Sequence, residues 1–224
     1  MMPTYAIVQP AEGRSPDADS GAAPFRSSAV ETGLHRVKMP KDDRRAAIFD
    51  EAIRIMGERG YRGFSLNELA KRCGLTTAGL LHHFASKEGL LIALLDERDR
   101  RDQEVIAARL GLRRGTSLSR EQVLKVLHVI VDHNATQPHL VRLYALLRTE
   151  ALGQSHPAQE YFVNREDAIL ALIGKIVAPH VSDAAATALQ IHAMMFGLEV
   201  QWLRADCGFD LVSAWDKAAE KLIP

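Results

Sequence analysis

Residues 65–87 read SLNELAKRCGLTTAGLLHHFASK, and this run leaves little choice of local structure. Ser65 precedes an apolar pattern of Leu66, Leu69, Ala70 and Cys73, with Glu68 three residues on, which is the signature of a capping box at a helix start. Gly74 can end that helix, because glycine takes the left-handed conformation without a side-chain clash. Thr76 or Thr77 can cap a second helix whose Leu80, Leu81 and Phe84 face back onto the first, and Ser86 can cap a third beginning at Lys87. Two short helices joined by a brief turn containing Gly form a helix-turn-helix, whose second helix fits the DNA major groove.

Charge is informative only by position. The 224-residue chain has a formal net charge of zero, so its overall balance says nothing about nucleic acid. From 41 to 87 the bases are Lys41, Arg44, Arg45, Arg54, Arg59, Arg62, Lys71, Arg72 and Lys87. The acids are Asp42, Asp43, Asp50, Glu51, Glu58 and Glu68, so nine minus six leaves +3, an excess that permits DNA binding. Cys73 and Cys207 are far apart and fit no metal or disulfide pattern, as suits a reducing compartment. No apolar run reaches the roughly 18 residues of a membrane span, and the N-terminus lacks a secretory apolar region. These features predict a cytoplasmic protein with no membrane association.

Around the helix-turn-helix the chain reads as all-α: an N-terminal three-helix head plus a C-terminal helical bundle for ligand binding and dimerisation. Residues 1–39, rich in Pro, Gly, Ser and Ala without sustained periodicity, read as a disordered tail, with Met39 as an alternative translation start. The head spans 40–86. Its first helix, 42–59, carries an apolar stripe of Ile48, Phe49, Ala52, Ile55 and Met56 and stops at Gly60. The body spans 87–224. It opens with a helix over 87–110, apolar at Leu90, Leu91, Leu94 and Leu95 and then charged from 96 to 104, as expected of a helix that leaves the head and crosses solvent. A loop is expected over 113–119, followed by helices over 119–136, from Pro138 towards Gly153, from Pro157 to before Pro179, over 183–204 and over 210–222. The 183–204 helix is apolar on nearly every face, which calls for burial on more than one side: a core face and a two-fold subunit interface.

The body contains no catalytic constellation. His128 and Asp132 share a helix face, but two ligands do not complete a zinc site. The Glu-x-x-His repeats of a metal-binding bundle, the competing enzyme or metal-protein reading, are absent from the sequence. No cofactor is expected. His128, Asp132, Tyr144, Arg148, His192, Glu199 and Trp202 are the groups available to orient a small, partly polar organic effector in a mostly apolar pocket.

The chain resembles the TetR-type transcriptional regulators. The matching runs are Arg45-Ala-Ala-Ile-Phe through Gly60, Phe64-Ser-Leu-Asn-Glu-Leu-Ala, Gly74-Leu-Thr, and Leu80-Leu-His-His-Phe-Ala-Ser-Lys-Glu. Phe196-Gly-Leu-Glu-Val-Gln-Trp-Leu is similar to the family's penultimate, dimerising helix. The resemblance implies an Ω-shaped homodimer on a palindromic double-stranded DNA operator, released by a small-molecule inducer; activation in place of repression is the variant of the same fold. It implies that Thr76 caps the recognition helix and touches phosphate beside Ser65, that Thr77 and Gly79 fall where base edges are reached, and that Lys87 contacts phosphate. Leu81 stands where the family usually has Tyr, so a phosphate-binding hydroxyl is missing, and His82 is the alternative donor. Ala188, Met195, Phe196 and Trp202 are the expected dimer contacts.

Overall fold

A computed structural model describes residues 41–111 and 117–224; the expected tail, the alternative start at Met39 and most of the expected 113–119 loop lie outside them. Among the described residues every element is an α-helix: α1 (Lys41–Arg59), α2 (Leu66–Arg72), α3 (Thr77–Phe84), α4 (Lys87–Leu110), α5 (Arg120–Ala135), α6 (Pro138–Glu150), α7 (Gln159–Val177), α8 (Ala184–Arg204) and α9 (Leu211–Leu222). The start signals mostly act as expected from sequence. Thr76 accepts a hydrogen bond from the Gly79 N–H, Ser86 from Gly89, Asp183 from Ala186 and Asp210 from Ser213. Each satisfies one of the backbone donors that a helix start leaves open.

One expectation fails. Ser65 occupies the N-cap of α2 but makes no side-chain cap bond. Glu68 is drawn away by cations, accepting from Arg59 at 3.0 Å and Arg72 at 2.6 Å. The reciprocal capping box forms instead at α5, between Ser119 and Gln122.

Packing does not follow a simple division into head and body. The α1 stripe, Leu69, Leu80, Phe84 and the apolar start of α4 share one core with Leu140, Leu143, Tyr144 and Leu147 of α6 and Phe162 of α7. Three short helices bury too little surface to close a core of their own, and α6 supplies the missing face against α1. The approach is close: a Cβ at Gly57 would stand 3.2 Å from the His139 carbonyl. At the far end of α6, Glu150 accepts the Tyr61 N–H at 3.0 Å, so a body side chain holds the turn that follows α1. A second core, around Trp215, Leu127, Ile191 and Trp202, joins α5, α7, α8 and α9.

The charged stretch of α4 does not cross solvent. Arg98 is only 8% exposed, with its Nε 2.6 Å from Asp102 Oδ2, an ion-pair contact rather than an aligned hydrogen bond. Asp99 meets Arg165 Nε at 2.9 Å and the hydroxyls of Tyr144 and Tyr161 at 3.2 and 2.5 Å. Asp102 also meets His133 Nε2 at 3.0 Å. Charge enters this interior because every charge has a partner from another turn or helix. Only the opposite face, with Glu97, Arg100 and Glu104 in an exposed ladder, behaves as a solvated stripe.

Candidate nucleic-acid interface and ligand cavity

Gly74, at φ +65, turns the chain from α2 into α3. Leu80 and Phe84 pack inward from α3, leaving Ala78 and His82 exposed and Thr77 and Leu81 half-buried on the opposite side. Thr77 makes one long contact, 3.5 Å from its hydroxyl to Asn67 Oδ1. Ser65 is exposed and free of capping duty. Gly79 packs over the Thr76 hydroxyl, where an added Cβ would stand at 3.2 Å. The Lys87 ammonium rests over the Tyr61 ring, 4.3 Å from its centroid, and burial lowers its pKa from the ordinary lysine value. Arg45, exposed on α1, lies over Phe49 and Phe84, and the sequence reading gave it no role.

The turn from α3 into α4 is tighter than its sequence suggests. Ala85 has φ +61 with ψ −45, and the Ser86 N–H reaches the Phe84 carbonyl at 2.6 Å, a γ-turn that places a non-glycine residue in a rarely populated region. Gly89 permits it, because a Cβ there would fall 2.4 Å from the Phe84 oxygen. This turn fixes the angle between the exposed helix α3 and the long helix α4. Cys73 nearby is half-buried, and burial pushes its thiol pKa up, away from the reactive thiolate.

In the body, α4, α5, α6, α7 and α8 enclose a cavity of about 260 Å³. Of the residues expected to orient an effector, Tyr144, Arg148, His192 and Glu199 lie on its wall. The other three lie elsewhere. His128 points to α9 and pairs with Asp216 at 3.0 Å, Asp132 pairs with Arg109 at 2.6 Å on the surface, and Trp202 is sealed in the second core. The wall also includes Arg98, Asp99, Asn134 and Arg165, which sequence reasoning missed. For Arg98 and Asp99 the signal was the density of charge in α4, misread as a solvated face; Asn134 on α5 and Arg165 on α7 gave none.

The polar groups of the wall are tuned by burial. Glu199 accepts from Asn134 Nδ2 at 2.7 Å, and desolvation raises its pKa. His192 is lowered to about 4, first by desolvation and then by Arg148, so it is neutral at physiological pH. Burial raises the Tyr144 and Tyr161 phenols well above the ordinary tyrosine value, so both act as hydrogen-bond donors. Among the described residues no group of His, Cys, Asp and Glu is arranged to hold a metal ion, and no described helix is long and apolar enough to cross a membrane.

The four residues expected at a dimer interface are engaged within the chain. Ala188 is 2% exposed against α7, Trp202 is buried, Met195 packs on the second core, and Phe196 faces the cavity beneath the Arg148 guanidinium at 4.4 Å. The exposed large apolar side chains on α7 and α8 are Val163, Leu172, Leu189 and Met194, of which Leu172 also borders the cavity, with open space at Gly197.

A helix-turn-helix head sharing its core with a helical, cavity-bearing body defines the class: a DNA-binding regulator fold. Residues 48–94 match the family model described as "Bacterial regulatory proteins, tetR family", so this head is similar to that of the TetR-family regulators. The HTH-type transcriptional regulator BetI of Rhizobium meliloti is 30% identical over 110 residues, 48% of this chain and 52% of that protein, so the match spans about half of the relative's length. The HTH-type transcriptional activator FasR of Mycolicibacterium smegmatis is 26% identical over 180 residues, 79% of this chain and 80% of that one. In fold, the chain is similar to a transcriptional regulator from Saccharomonospora viridis solved in complex with choline, with a TM-score of 0.66 at 18% identity over 82% of this chain and 96% of that one.

Proposed function

We propose that this protein is a homodimeric transcriptional repressor that binds a palindromic operator and is released by a small organic molecule held in the body cavity. The observation that carries the reading is the continuity of α4 and α6 between the two sites. Helix α4 begins in the head at Lys87 and contributes Arg98, Asp99 and Asp102 to the cavity wall, while α6 contributes Tyr144 and Arg148 and ends at the Glu150 contact with Tyr61. Two recognition helices must stand roughly 34–36 Å apart to enter successive major grooves. A ligand that displaces the cavity wall shifts α4 and α6 and therefore that spacing, so ligand and operator oppose each other through coupled equilibria.

In this reading Thr76, Ser65 and Lys87 meet phosphates, Thr77 and the backbone around Gly79 meet base edges, and His82 supplies the donor that Leu81 lacks. The exposed face of Val163, Leu172, Leu189 and Met194 supports a two-fold interface built on α7 and α8. Activation remains a second reading, because one relative matched over 79% of this chain carries the name of an activator. A gel-shift titration on DNA flanking the gene tests the proposal. A sequence-dependent, salt-sensitive shift supports it; equal binding to scrambled duplex refutes it.

A further inference from the structure

The effector's charge is the next question, and the cavity wall bears on it directly. Arg98, Arg148 and Arg165 contribute three positive charges, yet each already has a carboxylate. Arg98 meets Asp102 at 2.6 Å, Arg165 meets Asp99 at 2.9 Å, and Arg148 meets Glu166. Two side chains depart from this pattern. His192 has no hydrogen-bond partner among the described residues, and Glu199 accepts only from Asn134, at 2.7 Å. Both stand on α8 at the cavity wall beside Met195 and Phe196, and the same wall carries Ile106, Ile130 and Ile169.

We propose that the cavity selects an uncharged, largely apolar molecule whose single hydroxyl group is hydrogen-bonded by His192 and Glu199. This rests on the cavity being the effector site. An added anion would compete with the carboxylates already paired to the arginines, and an added cation would compete with the arginines for those same carboxylates. Either leaves a net charge in a site of low dielectric, which is costly without a new partner. A hydroxyl avoids that cost. It can accept from the imidazole N–H and donate to Glu199 Oε2, since Asn134 already occupies Oε1. The chemistry differs from that of the S. viridis regulator, whose structure contains the cation choline.

The test titrates the full-length protein by calorimetry at neutral pH with three probes of equal chain length: decanol, decanoate and decyltrimethylammonium. Decanol should bind at least about tenfold more tightly than either ion. His192→Leu should weaken decanol severalfold, and Glu199→Gln, which keeps the hydrogen bonding without ionisation, should leave it within about twofold. Each variant's fold is checked by its circular dichroism melt; should His192→Leu not fold, Glu199→Leu replaces it with the same expected loss. Tighter binding of decanoate or decyltrimethylammonium overturns the inference and leaves the cavity as an effector site. Unchanged decanol affinity in the His192 and Glu199 leucine variants overturns the assigned contacts. Failure of all three probes to bind overturns both the inference and the effector-site reading beneath it.

Discussion

Lys87 is the residue at which the two halves of the account meet. Its ammonium lies over the Tyr61 ring in a partly desolvated position, a cation–π contact of the kind worth about 0.5–2 kcal/mol. Reaching a phosphate requires it to leave that ring or to share its charge between ring and phosphate. Lys87→Ala is therefore expected to weaken binding to every DNA sequence and to reduce the slope of log K against log salt by about one, as read from anisotropy titrations at several salt concentrations. Thr77→Ala should instead relax sequence preference with little change in the salt slope, and an unchanged preference would remove Thr77 from the base-reading set. His192 makes a separate prediction about pH. Its folded pKa of about 4 lies below the unfolded value of 6.5, so between these values the unfolded chain binds more protons and stability is lost as pH falls. Denaturant titrations at pH 7.5 and pH 5 should show His192→Gln losing less stability on acidification than the parent protein, by a margin reduced by the ring's partial exposure. Caps at Thr76 and Ser86 are legible in sequence because hydroxyl side chains act on backbone within three residues. The Ser65–Glu68 box was not legible, because its outcome depended on Arg59 and Arg72 competing for the same carboxylate.

Helices α4 and α6 set the behaviour of the elements. Asp99 gathers Arg165, Tyr144 and Tyr161 from α7 and α6, so Asp99→Ala would strip a partner from a half-buried guanidinium and from two phenols. The expected loss is about 2–4 kcal/mol of unfolding free energy, measurable by chemical denaturation. Glu150→Ala should cost less, about 1–3 kcal/mol, by orphaning the Tyr61 N–H, and it should also reduce the effect of ligand on DNA affinity. Loss of stability with coupling intact would show that α6 is only a structural prop. The element pattern was readable from apolar periodicity, yet the environment of α4 was not. A run such as Asp96 to Glu104 reads as solvated until partners more than 30 residues away, at His133, Tyr144 and Arg165, are placed beside it. The γ-turn at Ala85 left no trace in sequence either, since alanine gives no warning of a positive φ.

At the scale of the whole molecule, the sequence conveyed the architecture and the presence of a helix-turn-helix head more faithfully than which faces of α8 are covered. Helix α8 is apolar around most of its circumference, as expected, but periodicity cannot rank its faces. The neighbours α7 and α9 cover Ala188 and Trp202 and leave Leu189 and Met194 outside. On the proposed dimer, Gly197→Arg should yield a folded monomer in size-exclusion chromatography with light scattering, because the glycine has open space within its own chain and the substitution burdens only a partner. Such a monomer should also lose most of its operator affinity, since one head forgoes half of the paired contact. The most direct measurement of the central claim is the affinity of the full-length protein for a labelled duplex tiled across the DNA upstream of its gene, with and without saturating decanol. A ligand-released regulator should show a salt-dependent, sequence-specific affinity on one tile that falls when decanol is bound. Binding indifferent to sequence, or an affinity unmoved by a ligand shown to occupy the cavity, would contradict the claim.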